Sequence, residues 1–410
     1  MELVAGYKQT ELGLIPSDWE VKELGQCLIK NPDYGINAAA VDYDDTLPRY
    51  LRITDISEAG KYLQSNKASV NHTLSNLYYL EEGDIVFART GASVGKTYLY
   101  DVNDGKLVFA GFLIRVKSNP EILNPKYLIY LTQTKSYWAW VTANSMRSGQ
   151  PGLNSNEFKS FKIPITLLSE QTLIATALSD ADALISSLEK LIAKKRNIKQ
   201  GAMQQLLIDN CQLSIDNGGW EVKKLGEVCD VFSGGTPNTS IQSYYGGNIY
   251  WITSGDLNKK VINEVEGKIT KEGLQNSSAK MIKPNTVLLA MYGATAGVSA
   301  ISKIEGAINQ AILAMIPFDD YNYEFLFYCL SFYKDWIIIT YTQGGQPNLS
   351  GSIIKSIEMG FPLFEEQTRI ATILSDMDTE ITALETKLEK YKKVKLGMMQ
   401  NLLTGKIRLV

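Results

Sequence analysis

The chain contains one helix-forming segment twice. Glu170–Leu207 and Glu366–Leu403 are identical at 20 of 38 positions, at an offset of 196 residues. A shorter pair of segments, Trp19–Gly25 and Trp220–Gly226, matches upstream at an offset of 201. Between these anchors the two halves diverge, so the chain is an internal duplication in which each variable body is followed by a constant segment. Two different bodies in one repeated frame predict that the protein recognises two different things.

Both constant segments carry the apolar periodicity of a coiled coil. Apolar residues recur at alternating spacings of four and three, without a proline, and only Lys195, Lys199 and Lys395 interrupt the seam. A helix of this length spans about 57 Å, at about 1.5 Å per residue. Because such a seam needs a partner, we expect the two copies to pair, and a two-fold relation between the repeats makes the pair antiparallel. The alternative is that each helix packs only on its own body.

The variable bodies combine short strands with helices. Strand-like runs punctuated by glycines lie in the first body at Tyr50–Thr54, Asp84–Ala88, Thr97–Tyr100 and Leu113–Val116. Helical patterns follow at Pro125–Ala143 and, in the second body, at Tyr323–Thr340. Asn154, three residues before Glu157, predicts a helix capping box. The predicted fold class is therefore α+β, with two mixed bodies and two long helices in an antiparallel coiled coil, related by a pseudo-two-fold internal repeat.

The repeat also predicts where the segments begin and end. They are an N-terminal arm at 1–18, a first body at 19–168, a first constant helix at 169–207, a linker at 208–219, a second body at 220–364, a second constant helix at 365–403 and a C-terminal tail at 404–410. The length of 410 residues allows a sizeable core in each of two domains.

Charge bounds the class of function. The formal net charge is −3, and each body is close to neutral, with 16 basic and 15 acidic residues at 19–168 and 11 and 13 at 220–364. This balance argues against a strong autonomous nucleic-acid binder. It is compatible with a cationic face that acidic groups offset elsewhere, or with a partner that supplies most phosphate contacts.

Cysteine and histidine usage argues against a metal site or a disulfide framework. The four cysteines form no CxxC pair, and His72 is the only histidine. This usage fits a reducing cytoplasm. The N-terminus lacks the apolar run of a signal peptide. The uncharged stretch Pro284–Ser302 contains glycines and hydroxyls and is predicted to form strand and turn, not a membrane span.

Two near-matches to catalytic motifs fail on spacing or context. Gly91–Thr97 resembles a phosphate-binding loop, but its glycines are one residue too close, and the second copy around Gly293 has no lysine. Asn31–Tyr34 is one residue from the Asn-Pro-Pro-Tyr signature of adenine-N6 methyltransferases, but no glycine-rich cofactor turn accompanies it, which favours an Asx-Pro turn. A single histidine offers no base for a nucleophilic triad. We therefore predict that the chain is not an enzyme.

The arrangement of motifs resembles a known family. Each half opens with Trp-Glu-Val-Lys-x-Leu-Gly and closes with a long helix that starts Glu-Gln-Thr-x-Ile-Ala. Further matches are Phe232–Pro237, Tyr250–Leu257, the two glycine loops and the C-terminal Leu402–Arg408. In this order and duplication, the chain resembles the specificity subunit of Type I restriction-modification systems over nearly its whole length.

The resemblance implies a division of labour among subunits. Each body would be a target recognition domain that reads one half of a bipartite site in double-stranded DNA. The constant helices would set the spacing and dock two methyltransferase subunits, with endonuclease and translocase subunits joining the complex. No cofactor would bind this chain, because S-adenosylmethionine, ATP and Mg²⁺ are expected on the partner subunits. The protein would be cytoplasmic and would have no membrane partner.

Residue type alone suggests candidate contacts. For DNA in the first body, the candidates are Arg49, Arg52, Arg89, Lys96 and Arg147. For DNA in the second body, they are Asn238, Tyr292, Gln343, Gln346 and Asn348. For partner docking on the first helix, they are Glu189, Lys190, Lys194 and Arg196. Surface solvation or turn capping is the alternative for each residue.

Two other classes of function stay open at this point. The bodies could bind proteins, in which case the chain would be an assembly scaffold without DNA sequence preference. The chain could also be an unrecognised enzyme that is active alone. Methylation of one bipartite sequence, only in the presence of a methyltransferase, distinguishes a DNA-specificity subunit from both alternatives.

Overall fold

A computed structural model describes residues 6–146, 149–207, 219–341 and 348–409. The chain divides into two units by its internal contacts, and the boundaries fall inside the two long helices. The first unit comprises Met1–Glu189 and Lys387–Val410, and the second comprises Lys190–Thr386. The segment boundaries predicted from the repeat stay predictions.

The first unit contains most of the N-terminal half. Its strands are β1 (Tyr7–Thr10), β2 (Gly13–Pro16), β3 (Glu20–Glu23), β4 (Asp33–Tyr34), β5 (Ala40–Asp42), β6 (Arg49–Leu51), β7 (Ala68–Val70), β8 (Asp84–Ala88), β9 (Thr97–Leu99), β10 (Leu107–Phe109), β11 (Leu113–Lys117) and β12 (Lys162–Ile165). Its short helices are α1 (Pro125–Leu131), α2 (Lys135–Ser145) and α3 (Ser155–Lys159), and the long helix α4 (Leu168–Leu207) begins here.

Two four-stranded sheets form the centre of the first body, in the orders β10-β6-β7-β5 and β4-β11-β8-β9. In the second of these, β11 lies between β4 and β8 and is antiparallel to both. Strand β8 is fully buried because both of its faces are covered. Its inward residues on one face, including Ile85 and Phe87, pack with α1, α3 and the start of α4 in one core. Strand β12 pairs with β3 and leads directly into α4.

The second unit repeats this architecture. Its strands are β13 (Glu221–Lys224), β14 (Cys229–Ser233), β15 (Tyr245–Ile252), β16 (Val261–Ile262), β17 (Lys268–Ile269), β18 (Lys280–Ile282), β19 (Thr286–Ala290), β20 (Ser299–Ser302), β21 (Gly306–Ile308), β22 (Ile312–Pro317) and β23 (Glu358–Phe361). Its helices are α5 (Leu225–Val228), α6 (Lys271–Gln275), α7 (Tyr323–Phe332), α8 (Lys334–Tyr341), α9 (Gly351–Ser356) and the start of the long helix α10 (Phe364–Leu402).

The sheets of the second body have the orders β14-β22-β19-β20-β16 and β17-β15-β21-β18. Strand β19 is buried along its whole length, as β8 is, and pairs with β22 and β20. The strands β19 and β20 cover Pro284–Ser302, which confirms the prediction of buried strand and turn. Within the described residues, no helix is both long and apolar enough to span a membrane.

The repeated Gln-Thr pair joins each long helix to its body. Gln171 is buried, and its Oε1 accepts a hydrogen bond from the Asn124 amide at 2.9 Å. Asn124 in turn caps α1, since its side chain accepts from the amides of the first turn. In the second unit Gln367 accepts from the amide of Asn322, the N-cap of α7, also at 2.9 Å. Each constant helix therefore enters its body through the same buried amide.

In the first unit the two long helices pack antiparallel. Lys395 of α10 pairs with Asp182 of α4 at 2.7 Å, and Lys392 pairs with Glu189 at 3.2 Å. Residue numbers rise on one helix as they fall on the other. Apolar residues of α4, including Leu188, are buried between these pairs.

In the second unit the same helices again run antiparallel. Lys199 pairs with Asp378, Lys195 with Glu380, and Arg196 with Glu385. The fold class predicted from the repeat is confirmed, including the pairing of the two constant helices. Each of the three lysines that interrupt the apolar seam makes an ion pair with the other long helix.

Two helical patterns are shorter than predicted. Pro125–Ala143 contains α1 and α2 as separate helices, because the Thr134 side chain accepts from the Tyr137 amide and caps a new helix start. Tyr323–Thr340 is likewise divided into α7 and α8. The predicted capping box is confirmed, since Asn154 Oδ1 accepts from the Glu157 amide at 3.0 Å and Glu157 Oε2 accepts from the Asn154 amide.

Candidate nucleic-acid interface

A glycine-containing loop follows the buried central strand in each body. After β8 the chain makes a 3₁₀ turn at Gly91–Ser93, and after β19 it makes one at Gly293–Thr295. Gly95 and Gly297 close these turns with φ of +86° and +75°. A Cβ on Gly95 would lie 2.7 Å from Val141 Cγ1, so the loop also lies tightly against α2.

The first loop is not arranged as a phosphate cradle. Its amides donate to carbonyls of the protein, for example from Gly91 to Pro151 and from Gly95 to Ala88. The Lys96 ammonium pairs with Glu58 at 2.5 Å. Because the donors of a phosphate-binding loop must point at the ligand, these contacts agree with the sequence-based rejection of nucleotide binding.

The first residue after each central strand, Arg89 or Met291, makes the same backbone hydrogen bonds in the two bodies. The Arg89 amide donates to the Phe112 carbonyl at 3.0 Å, and the Arg89 carbonyl accepts from the Leu153 amide at 2.8 Å. The Met291 amide donates to the Ala311 carbonyl at 2.8 Å, and the Met291 carbonyl accepts from Leu349 at 2.8 Å. Isolated bridges, Thr90 with Gly152 and Tyr292 with Asn348, continue the match. One backbone frame thus presents different side chains in the two bodies.

Arg89 stands against exposed aromatic rings. Its guanidinium carbon lies 4.9 Å from the ring centroid of Tyr34, within the range of a cation–π contact. Tyr34 Oη accepts from the Ser155 amide, which fixes the ring against the start of α3. Phe112, whose carbonyl holds the Arg89 amide, is 58% exposed. Arg89 Nε is buried and, within the described residues, has no hydrogen-bond partner.

The other cationic candidates of the first body are engaged within it. Arg49 donates to the Asp104 carbonyl at 2.6 Å. Arg52 donates through two nitrogens to Asp55, and these hydrogen bonds raise the pKa of Arg52. Lys96 is held by Glu58, and Arg147 lies outside the described residues. Arg89 therefore differs from Arg49, Arg52 and Lys96, because the Arg89 side chain has no acceptor among the described residues.

In the second body the structure brings two predicted residues together. Tyr292 forms an isolated bridge with Asn348, and Tyr292 Oη donates to the Gln310 carbonyl at 2.9 Å. Asn238 is exposed, and its side chain accepts from the Ser240 amide in a turn. Gln343 and Gln346 lie outside the described residues.

The docking candidates on α4 differ in how they are paired. Glu189 pairs with Lys392 in the first unit, and Arg196 pairs with Glu385 in the second. Lys190 and Lys194 are exposed, and within the described residues neither has an ion pair. These two lysines are thus the ones whose charge is available to a partner.

A buried network ties the C-terminal tail to the first body. Arg408 donates to Glu170 and to Asp18, and the Trp19 indole also donates to Glu170. Burial raises the pKa of Glu170, but the hydrogen bonds from Arg408, Thr166 and Trp19 outweigh it and hold that pKa below its usual value. Glu366, at the matching position of α10, pairs with Arg369 of the same helix instead.

Comparison with known families decides the identity of this frame. A family profile described as "Type I restriction modification DNA specificity domain" matches residues 16–200 and again residues 217–394. The chain belongs to this family. The predicted resemblance is confirmed, and the two matches reproduce the internal duplication. Membership of a family of specificity subunits agrees with the prediction that the chain is not itself an enzyme.

Relatives in the Type I specificity family match over nearly the full length or over part of it. The MjaVIII specificity subunit of Methanocaldococcus jannaschii is 25% identical, covering 96% of this chain and 94% of the relative. A putative MjaX specificity subunit of the same organism is 27% identical, covering 98% and 97%. The EcoR124I/EcoR124II specificity subunit of Escherichia coli is 28% identical over 41% of this chain and 43% of its own length.

Solved structures share the fold. The S subunit of a Type I system from M. genitalium superposes with a TM-score of 0.62 at 14% identity, and each chain is covered to 98%. The HsdS subunit from Thermoanaerobacter tengcongensis gives a TM-score of 0.50 at 19% identity, over 96% of this chain and 98% of that chain. At these identities the likeness concerns the fold alone.

Sequence reasoning missed several residues of the candidate interface. Tyr34 and Phe112 flank Arg89, and Thr236 contacts Gln310 beside Tyr292. Phe112 precedes a predicted strand that begins at Leu113. An alignment of this strand with the strand that begins at Ile312 in the second repeat places Phe112 opposite Ala311. Tyr34 carried no comparable signal, because it approaches Arg89 only through the pairing of β4 with β11.

Proposed function

We propose that the chain is the DNA sequence-specificity subunit of a Type I restriction-modification complex. Each body reads one half of a bipartite target in double-stranded DNA, and the complex acts where both halves are present. The protein itself transfers no methyl group and cuts no DNA. It works in the cytoplasm, where its DNA target is.

One observation carries the proposal. The two bodies hold the residue before the glycine loop with the same pair of backbone hydrogen bonds, yet place arginine at one position and methionine at the other. Neighbouring positions differ in the same way, with Phe112 exposed and the matching Ala311 buried. A shared backbone frame that carries different side chains in the two bodies suits two readers of different sequences.

The long helices supply the docking surface for partner subunits. Lys190 and Lys194 of α4 lie off the apolar seam and are exposed. The seam between α4 and α10 is already filled in each unit, so its outer faces are what a partner can contact. We assign to them the methyltransferase subunits, with endonuclease subunits joining the assembled complex.

The cofactors of the reaction belong to those partners. S-adenosylmethionine would supply the methyl group, and ATP with Mg²⁺ would serve the translocating endonuclease. Within the described residues, no group of three His, Cys, Asp or Glu side chains is placed to hold a metal ion. The task of this chain is to position the partners on a chosen DNA sequence.

Reconstituted methylation tests the proposal. Methyl transfer from labelled S-adenosylmethionine to DNA would be measured with this chain alone, with the cognate methyltransferase alone and with both together. We expect transfer only with both, and only on DNA that carries the target. A scaffold would give transfer without sequence preference, and an enzyme active alone would give transfer without the methyltransferase. Either result would refute the proposed function.

A further inference from the structure

Among the described arginines of the first body, Arg89 is the one whose side chain has no hydrogen-bond acceptor. Its Nε is shielded from solvent and lacks a hydrogen-bond partner, and within the described residues the guanidinium has no ion pair. A buried donor without an acceptor costs stability, and such groups in folded proteins usually have a reason outside the fold. Apart from the ring of Tyr34, the described part of the first body therefore offers this guanidinium no partner.

The second body shows that the fold does not need this arginine. Met291 occupies the same backbone position, with the same two hydrogen bonds to flanking segments, and it is 8% exposed. An apolar side chain of similar length therefore satisfies the frame. The guanidinium stands at a position where the two bodies carry different side chains.

The surroundings of Arg89 hold it ready for a ligand. The ring of Tyr34 lies 4.9 Å from the guanidinium carbon, and that ring is fixed by the hydrogen bond from the Ser155 amide. The backbone of Arg89 is held on both sides by Phe112 and Leu153. A side chain held in this way loses less conformational entropy on binding than a free one. The side chain of Phe112, whose carbonyl accepts from the Arg89 amide, is exposed.

We propose that Arg89, positioned by Tyr34, reads a guanine in the half-site recognised by the first body. The planar guanidinium matches guanine O6 and N7 with two parallel hydrogen bonds from its terminal nitrogens, whereas the shielded Nε takes no part in the contact. The inference rests on the proposed function, because it names the base contact of that same surface. Tyr34 is a positioning residue in this account.

Three variants test the assignment, each expressed with the cognate methyltransferase in a host whose methylated sites are then mapped. Arg89→Met installs the residue that the second body carries at this position. Arg89→Lys keeps the positive charge but loses the paired donors. Lys106→Met is the control, since Lys106 is an exposed cation of the first body outside the long helices.

We expect Arg89→Met and Arg89→Lys both to lose preference for one guanine in one half-site, by roughly tenfold to a hundredfold. The other half-site stays unchanged, as does the whole motif of Lys106→Met. The melting temperature of Arg89→Met should not fall, because the frame accepts methionine. An unchanged motif in Arg89→Met and Arg89→Lys would overturn the inference. This holds even if methylation becomes slower at all sites, because loss of a phosphate contact slows methylation without changing the motif. Failure of the unmodified chain to direct any motif would instead refute the proposed function.

Discussion

Lys395 and Asp182 form an ion pair of 2.7 Å between the two long helices of the first unit, and the ring of Tyr130 lies beside them. Tyr130 Oη donates to Asp182 at 2.9 Å, and the Lys395 ammonium lies 5.4 Å from the ring centroid. In the second unit Lys199, Asp378 and Tyr328 repeat this cluster, with Tyr328 Oη also 2.9 Å from the aspartate. A polar group inside an apolar seam is satisfied in one register only, so these clusters specify the antiparallel pairing.

Exchange of the charges tests this role. Asp182→Lys alone places two ammonium groups together in a partly buried position, and we expect it to lower the free energy of unfolding by about 2–4 kcal/mol. Adding Lys395→Asp restores the pair and should recover more than half of that loss. Urea denaturation of the two single variants and the double variant gives the coupling energy. Additive effects would show that the pair does not specify the register.

The network of Glu170, Asp18 and Arg408 predicts an acid-sensitive first unit. Hydrogen bonds from Arg408 hold the pKa of Asp18 below its usual value, and Glu170 is lowered as well despite its burial. Because both folded-state pKa values lie below the unfolded ones, the network stabilises fully above pH of about 4.3 and less as pH falls through the folded values. Thermal unfolding between pH 7 and pH 3 would show this loss.

Removal of Arg408 isolates the contribution of the network. We expect Arg408→Gln to cost about 1–3 kcal/mol at neutral pH, since it leaves Glu170 buried without its main partner. The same variant should show a weaker dependence on acid. Arg369→Gln, which breaks the exposed pair with Glu366, is the control and should cost less than Arg408→Gln, because exposed ion pairs contribute little to stability. Equal losses for the two variants would contradict the account.

Much of the fold follows from periodicity, because a seam of alternating spacings leaves few alternatives for a helix pair. The positions of Lys199 and Lys395 showed where the seam is interrupted, but their tyrosine partners lie far away in the sequence and could not be read from it. Helix breaks at Thr134 were missed for a similar reason, since a threonine that caps a new helix looks like any helix-surface hydroxyl.

The candidate interface was predictable in residue type but not in surroundings. Arginines marked the first body, yet only tertiary structure shows that Arg52 is bound to Asp55 while Arg89 is not. The neighbours of Arg89 lie in β4 and in the turn before β11. Strands β4 and β11 pair although they are far apart in the sequence. Such non-local pairing is set by packing, and local sequence patterns carry little of it.

Docking of the methyltransferase should depend on the exposed lysines of α4. The double variant Lys190→Glu, Lys194→Glu should remain folded, because neither side chain is buried or paired among the described residues. We expect at least tenfold weaker binding of the methyltransferase, measured by co-purification and then by titration. Lys61→Glu, Lys106→Glu makes the same charge change on exposed lysines of the first body and should bind normally. Unchanged binding by the α4 variant would exclude this docking surface.

The two half-sites should differ in their guanine content. The first body at 19–168 contains five arginines, at 49, 52, 89, 115 and 147, and the second body at 220–364 contains none. Arginine to guanine is the commonest specific contact in the major groove, whereas asparagine and glutamine favour adenine. Base-by-base substitution of the target should therefore place the stronger guanine dependence in the half-site of the first body. All guanine dependence in the other half-site would contradict this assignment.

The most direct measurement maps methylated bases across the genome of a host that expresses this chain with its cognate methyltransferase. If the two bodies read separate sequences, the modified sites share two short specified segments with an unspecified spacer of fixed length between them. The account predicts this bipartite motif, and its absence from a host that expresses the methyltransferase alone. Methylation at one continuous motif, or at sites without a shared sequence, would contradict the account.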